Sequence, residues 1–412
     1  MSSQDINGTG EGASARMTPV EIRASVSLAS IFALRMLGLF LILPVFAEHG
    51  KTMPGGDNLA MVGLAMGIYG LAQAFCQIPF GIASDRYGRK PVIIVGLLMF
   101  AAGAVIAALA DTIFWVVVGR ALQGAGAISA AVTALISDAT REQHRTKAMA
   151  MVGGSIGITF AVSMVAAPLL YQAIGMSGIF WLTGVLAVAA IGVVLYVVPA
   201  VPAVMARRVA LPEVLRNPEL MRLNFGVFVL HLTQVAIFVV VPAALVQALD
   251  LPLAAHWKVY LPVVLISFIL MLPPIFIGEK LGKIKQIFLA AIMLLLFVQL
   301  GLWWWLAQAG SPPWLLVALL LAFFVAFNIL EASQPSLVSR IAPPAAKGAA
   351  LGVYNTLQSL GLFCGGALGG WLVQHAGANA VFQAGAGLTM VWLIMAVSMK
   401  NLPRRGQAAK AA

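Results

Sequence analysis

An all-α integral membrane protein, with twelve transmembrane helices in two pseudo-symmetric six-helix bundles, is the fold class this sequence predicts. Three observations carry it. The 412 residues are 61% hydrophobic and only 9% charged, with a mean hydropathy of +0.97. A soluble domain carries about a quarter charged residues, so this chain has too few to coat a water-facing surface. Apolar runs of about twenty residues, the length that crosses the hydrocarbon core, recur twelve times. They run apolar throughout rather than alternating, which excludes a membrane β-barrel. Finally, of the 25 Lys and Arg, 21 fall in one alternating set of connections and tails; the opposite set holds only Lys51 and Lys258.

The elements follow in order. Residues 1–24 form a polar tail rich in Gly, Ser and Thr. It lacks the apolar core of a cleavable signal peptide, so the first span is expected to act as the insertion signal. Spans are predicted at 25–47, 59–82, 91–110, 113–137, 147–172 and 177–199, which together make the N-terminal bundle. The linker 200–221 is the longest interior polar stretch, with Arg207, Arg208, Glu213 and Arg216. Spans at 222–248, 258–277, 286–308, 313–338, 348–374 and 379–399 make the C-terminal bundle (222–400), followed by the tail 401–412. An even number of crossings puts both termini on one side, and the basic bias makes that side cytoplasmic. The expected location is the plasma membrane, the inner one in a Gram-negative cell. Glycines echo between the halves: Gly81 and Gly278 follow spans two and eight, and Gly153 and Gly157 in span five answer Gly352 and the Gly361–Gly370 cluster in span eleven. Repeated halves are a signature of secondary transporters.

Several classes are excluded. The net charge of +11 is spread in short clusters between apolar runs, a membrane-topology pattern that gives no reason to expect nucleic acid. Cys76 and Cys364 lie inside apolar runs and read as packing residues. The five histidines show no His-x-x-x-His spacing, there is no Cys-x-x-Cys, and no phosphate-binding Gly-x-x-x-x-Gly-Lys loop occurs. No metal, no cofactor and no enzyme activity are expected.

Two motifs stand out. Gly81-Ile-Ala-Ser-Asp85-Arg86-Tyr-Gly88-Arg89-Lys90-Pro91 lies between spans two and three. Its glycines suit a tight reversal, Pro91 suits a helix start, and Asp85 and Arg89 could pair. Read blandly, it is a basic loop that needed a turn. Span four carries Arg120-Ala-Leu-Gln123-Gly124-Ala-Gly126-Ala127. Together they resemble the signature motifs of the major facilitator superfamily. The span-five motif of its antiporters is only partly present, as Gly153-Gly154-Ser155-Ile-Gly157 with Pro168 further on. Stretches such as Arg35-Met-Leu-Gly-Leu-Phe, Ala255-His256-Trp257-Lys258 and Phe324-Val-Ala-Phe-Asn328-Ile-Leu-Glu331 resemble the YajR-type branch of drug:proton antiporters. Members of that branch can carry a soluble domain after span twelve; the chain stops at Ala412 and is expected to lack it. The resemblance implies that Gly81, Asp85, Arg86, Gly88, Arg89 and Asp138 form a conformational latch holding an outward-facing state.

Ionisable residues inside the spans are few: Arg35 in span one, Arg120 in four, His231 in seven and Glu331 in ten. A charge there costs roughly 2.5–3.5 kcal/mol on insertion scales, so such groups normally face a wet interior. Their three-span period matches triplet repeats whose first helices line a cavity. Arg35, Arg120, Gln123 and Asn328 are therefore expected at a central cavity. Glu331 is the candidate proton carrier, with His231 next. The bland alternatives are a permanent ion pair of Glu331 with Arg35 or Arg120, and a packing role for His231.

The predicted function is a secondary active transporter: a proton-coupled exporter (antiporter) of small lipophilic or amphiphilic molecules, acting by alternating access. Its partners are the substrate, protons and the lipid bilayer, and it is expected to work as a monomer. Proton-linked uptake of a nutrient or metabolite is the alternative, and a channel or polytopic receptor the distant one.

Overall fold

The computed structural model describes residues 17–199, 211–308, 310–343 and 346–400. Within them lie α1 (Pro19–Lys51), α2 (Leu59–Tyr87), α3 (Arg89–Ala108) and α4 (Ile113–Ala139). Then comes a helix over Glu142–Gly192 of 51 residues. Straight, it would extend about 77 Å, more than twice the hydrocarbon thickness of about 30 Å. Gly175, at φ +66° and ψ −176°, breaks it into α5 (142–174) and α6 (176–192). The second half holds α7 (Pro218–Leu249), α8 (Trp257–Leu281), α9 (Ile284–Ala307), α10 (Pro313–Ile341), α11 (Lys347–Ala376) and α12 (Ala378–Val397). No strand occurs among the described residues. In hydrocarbon the backbone must bond to itself, and the helix does this within each apolar run.

Several helices begin before their apolar runs do. Thr18 caps α1: its Oγ1 accepts from Glu21 N–H at 3.2 Å, and the Glu21 carboxylate accepts from Thr18 N–H at 2.7 Å. This box starts α1 six residues before the predicted span. Asn217 Oδ1 accepts from the N–H groups of Glu219 and Leu220 at 3.0 and 3.3 Å, starting α7 at Pro218. Of the predicted linker, residues 200–210 lie outside the described residues, while Leu211–Arg216 is a short helix.

The predicted loop at 83–90 contracts to one residue. α2 continues to Tyr87, α3 starts at Arg89, and Gly88 at φ +95° makes the reversal alone. Only glycine adopts this backbone without strain. Gly81 is helical, and a Cβ there would lie 3.6 Å from Ala130 of α4. It takes no part in the turn, contrary to expectation. The corresponding turn of the second half is at Gly282 (φ +69°), not Gly278, and Gly175 is answered by Gly377 (φ +81°). The pseudo-symmetry thus shows most directly in paired left-handed glycines.

The halves meet through α2 and α11. A Cβ on Gly63 would come within 2.2 Å of Gly366 O, and one on Gly67 within 2.4 Å of Phe363 O. Gly361 and Gly365 use the other face of α11 against the backbone of α7. Leu59 N–H donates to Gln374 Oε1 across the seam at 2.8 Å. The α2–α11 contacts at Gly63 and Leu59 lie in the membrane half away from the basic connections. In the basic half, a Cβ on Gly153, Gly154 or Gly157 of α5, or on Gly348 or Gly352 of α11, would meet nothing within 4 Å. Among the described residues, then, the seam glycines abut backbone while these five glycines near the basic side do not.

Candidate functional site

His231 and Glu331 come together in the C-terminal half. Their side chains, on α7 and α10, place His231 Nε2 3.5 Å from Glu331 Oε2. His231 Nδ1 lies 3.0 Å from Val227 O. A carbonyl only accepts, so Nδ1 is assigned the proton and Nε2 is left as the exchangeable position. Gln358 Nε2, from α11, sits 2.7 Å from that same Nε2. The neutral ring can accept there from the amide; the protonated ring can donate to the carboxylate instead. Gln358 and Glu331 thus address the same ring nitrogen. The Glu331 side chain is 26% exposed and that of His231 5%, though the Oε2 that faces the ring is itself buried.

Aromatic rings cover this pair on the side away from the basic face. Phe327, one turn from Glu331, packs edge-on to His231 at 5.8 Å. Phe160 of α5 meets Phe327 at 5.5 Å and Phe324 at 5.8 Å, linking the two halves.

The two intramembrane arginines are elsewhere. Arg35 Nη1 donates to Ser129 Oγ at 2.9 Å and Nη2 to Gln73 Oε1 at 3.1 Å. Arg120 Nη1 donates to Gln123 Oε1 at 3.0 Å. Both guanidiniums lie by the ring of Tyr69, at 5.5 and 4.9 Å from its centre. Neither pairs with Glu331. Arg35 is 2% exposed, Arg120 1% and Gln123 0%, so in this conformation they sit within the N-terminal bundle rather than on an open cavity wall. Asn328 is also buried, and it donates to Ser267 Oγ of α8 at 3.0 Å, not to Glu331.

The glycines of the span-four motif have a packing role. A Cβ on Gly124 would lie 2.1 Å from Tyr69 O, and one on Gly126 2.2 Å from Gly96 O. They let α4 press against α2 and α3, holding Arg120 beside Tyr69.

Of the signature residues, Asp85, Arg89 and Asp138 come together. Arg89 Nε donates to Asp138 Oδ2 at 3.0 Å and Nη1 to Ser84 Oγ at 2.8 Å, and it also binds Asp85. The Arg89 side chain is 7% exposed, Asp138 11% and Asp85 53%. The buried member of this pairing is thus Asp138; Asp85 is half in solvent, where an ion pair contributes at most about 1 kcal/mol. Arg86 is exposed and lies over its neighbour Tyr87. Asp85, Arg89 and Asp138 belong to α2, α3 and α4, so here the network fastens three helices of one half.

Gln358, Tyr69, Gln73 and Phe160 escaped the sequence reading, which weighed charges inside spans and, apart from Gln123 and Asn328, passed over amides and rings. The signal was available: an uncharged amide in hydrocarbon still needs a partner.

No group of three or more His, Cys, Asp or Glu among the described residues is arranged to hold a metal. The sequence matches the Major Facilitator Superfamily over residues 24–365 and 332–412. It is 46% identical over 394 residues to the inner membrane transport protein YajR of Escherichia coli strain K12, covering 94% of this chain and 86% of that one. It is 26% identical over 374 residues to the multidrug resistance protein MdtH of Yersinia enterocolitica, covering 88% of each. Among solved structures, the human organic anion transporter MFSD10 superposes with a TM-score of 0.67 at 17% identity, over 92% of this chain and all of that one. An inward-facing, occupied bacterial homologue of the human lysosomal transporter Spinster gives 0.67 at 14% identity, over 93% and 95%; at such identities the likeness is one of fold. The chain is a multi-pass secondary transporter, not an enzyme, and it belongs to the Major Facilitator Superfamily.

Proposed function

We propose that this transporter is a proton-coupled exporter of small lipophilic or amphiphilic molecules, working by alternating access in the cytoplasmic membrane with its basic face inward. The observation that carries the reading is the His231–Glu331 pair at 3.5 Å, beneath the Phe160–Phe327 contact that joins the two halves.

The mechanism follows from solvation. A carboxylate is costly in a dry, closed site and cheap in a wet one, so closing the cavity favours its protonated form. Opening to an acidic exterior would load Glu331; opening to the cytoplasm would release the proton. His231 Nε2 supports the charged carboxylate when the ring is protonated and turns to Gln358 when it is neutral. Substrate couples by competing with the proton for this pair. The α2–α11 seam opens and closes the outer side, and the Arg89 network acts as the latch on the basic side. The relatives' names, a multidrug resistance protein among them, favour drug-like cargo.

The test is a transport screen in proteoliposomes with an imposed pH gradient, interior acidic for inside-out vesicles. Accumulation that follows the gradient and collapses with a protonophore supports the reading. Accumulation indifferent to the gradient sinks it.

A further inference from the structure

We infer that the N-terminal bundle contains an anion site between α1, α2 and α4, built on Arg35 and Arg120, for a compact acceptor of the carboxylate class. The inference rests on the transport reading above and narrows its cargo: the group bound would be the anionic head of an amphiphilic substrate, or a free inorganic anion of the same chemistry.

The argument is an account of donors. A guanidinium keeps its charge in any protein environment and offers five N–H donors but no acceptor. Arg35 uses Nη1 and Nη2 on Ser129 and Gln73, and its Nε has no partner among the described residues. Arg120 uses Nη1 on Gln123, while its Nε and Nη2 have none. Those two nitrogens are neighbours on one edge of the guanidinium, the fork that takes a carboxylate with two parallel hydrogen bonds. Gln123 Nε2 and the Tyr69 hydroxyl are likewise without partners. Arg35, Arg120, Gln123 and Tyr69 are each at most 2% exposed.

Charge points the same way. Two cations share one aromatic ring, and no carboxylate among the described residues pairs with either. The acid inside the spans, Glu331, stands with His231 on the other half. A cationic or neutral head would leave both charges uncompensated, and an anion answers charge and hydrogen bonds together. The site lies at the level of the seam: Gly70, next to Tyr69, abuts Ser359 of α11. It is closed in this conformation, and separation of α2 from α11 is what admits the anion.

The experiment measures thermal unfolding of the purified full-length protein in a nonionic detergent at fixed ionic strength. The probes are benzoate, its neutral and cationic isosteres benzamide and benzylammonium, and, separately, chloride and phosphate. Benzoate is expected to raise the midpoint saturably by at least about 2 °C, and the isosteres not to. A matching rise with chloride or phosphate alone assigns the site to a free anion; a rise with benzoate alone assigns it to an organic head. Gln123→Glu is the deciding variant. It puts a carboxylate where Gln123 already meets Arg120, so it is expected to fold, to melt higher than wild type, and to lose the anion response. Arg120→Lys, which keeps the charge without the fork, is expected to bind benzoate at least tenfold more weakly. The inference is overturned if no anion outperforms its isosteres, or if Gln123→Glu responds to benzoate as wild type does. No gradient is applied, so failure here with pH-driven transport intact removes the anion site alone. A normal anion response with transport indifferent to pH removes the proton coupling alone.

Discussion

Glu331 and His231 face each other across 3.5 Å within the C-terminal half, while Arg35 and Arg120 share Tyr69 in the N-terminal half. The intramembrane charges are thus segregated by half: cations without a carboxylate in one, an acid with a titratable base in the other. A permanent Glu331–arginine ion pair, which would leave the carboxylate unable to take up a proton near neutral pH, is absent from this conformation.

Orientation can be tested at the contracted turn. Ser84, near the start of the predicted loop, is only 1% exposed and bonded to Arg89, and is a poor site for a labelled cysteine. Tyr87 is 65% exposed. In a background lacking Cys76 and Cys364, Tyr87→Cys should resist an impermeant thiol reagent added to intact cells, whereas Asp57→Cys, exposed on the opposite face, should react. Reversed labelling would overturn the inward assignment of the basic face.

The latch residues should separate by burial. Asp138→Asn leaves the buried Arg89 with only Asp85 and Ser84, and should cost roughly 2–3 kcal/mol, read as a lowered melting midpoint. Asp85→Asn alters a carboxylate that is 53% exposed, so its stability should stay within about 1 kcal/mol of wild type. Its transport rate should nevertheless fall. If Asp85→Asn transports normally, or destabilises more than Asp138→Asn, the latch assignment fails.

The α2–α11 seam leaves no room for side chains. Gly67→Ala would put a Cβ 2.4 Å from a backbone oxygen of α11. Overpacking of this kind costs about 1–3 kcal/mol, which disfavours the outer-closed state about 5- to 150-fold. Ser359→Cys, buried at the seam, should then react faster with a thiol reagent when Gly67→Ala is present. An unchanged rate would mean that the seam does not govern closure.

The spans were legible because hydrocarbon imposes length and apolarity directly, and Gly175 and Gly377 fall in the breaks left between predicted spans. The turn at 83–90 was not, because Ser84, Asp85 and Arg86 continue α2 past the hydrocarbon edge, where hydropathy no longer marks a helix. Placement inside spans was legible and partnership was not. Arg35 and Glu331 both read as intramembrane, yet position along a helix says nothing about which bundle face a side chain takes. Asn328 shows the limit most plainly: one turn from Glu331 in sequence, it turns to Ser267 of α8.

The central claim is that Glu331 carries the coupled proton, and one measurement bears on it most directly. Wild type and Glu331→Gln are reconstituted into proteoliposomes, and uptake of a substrate identified in the gradient screen is followed with and without an imposed pH gradient. The glutamine mimics a permanently protonated carboxylate. Glu331→Gln is expected to exchange substrate across the membrane at equal pH on both sides, but not to accumulate it when the gradient is applied. Gradient-driven accumulation by Glu331→Gln equal to that of wild type would contradict the account and move the proton to another group, His231 first.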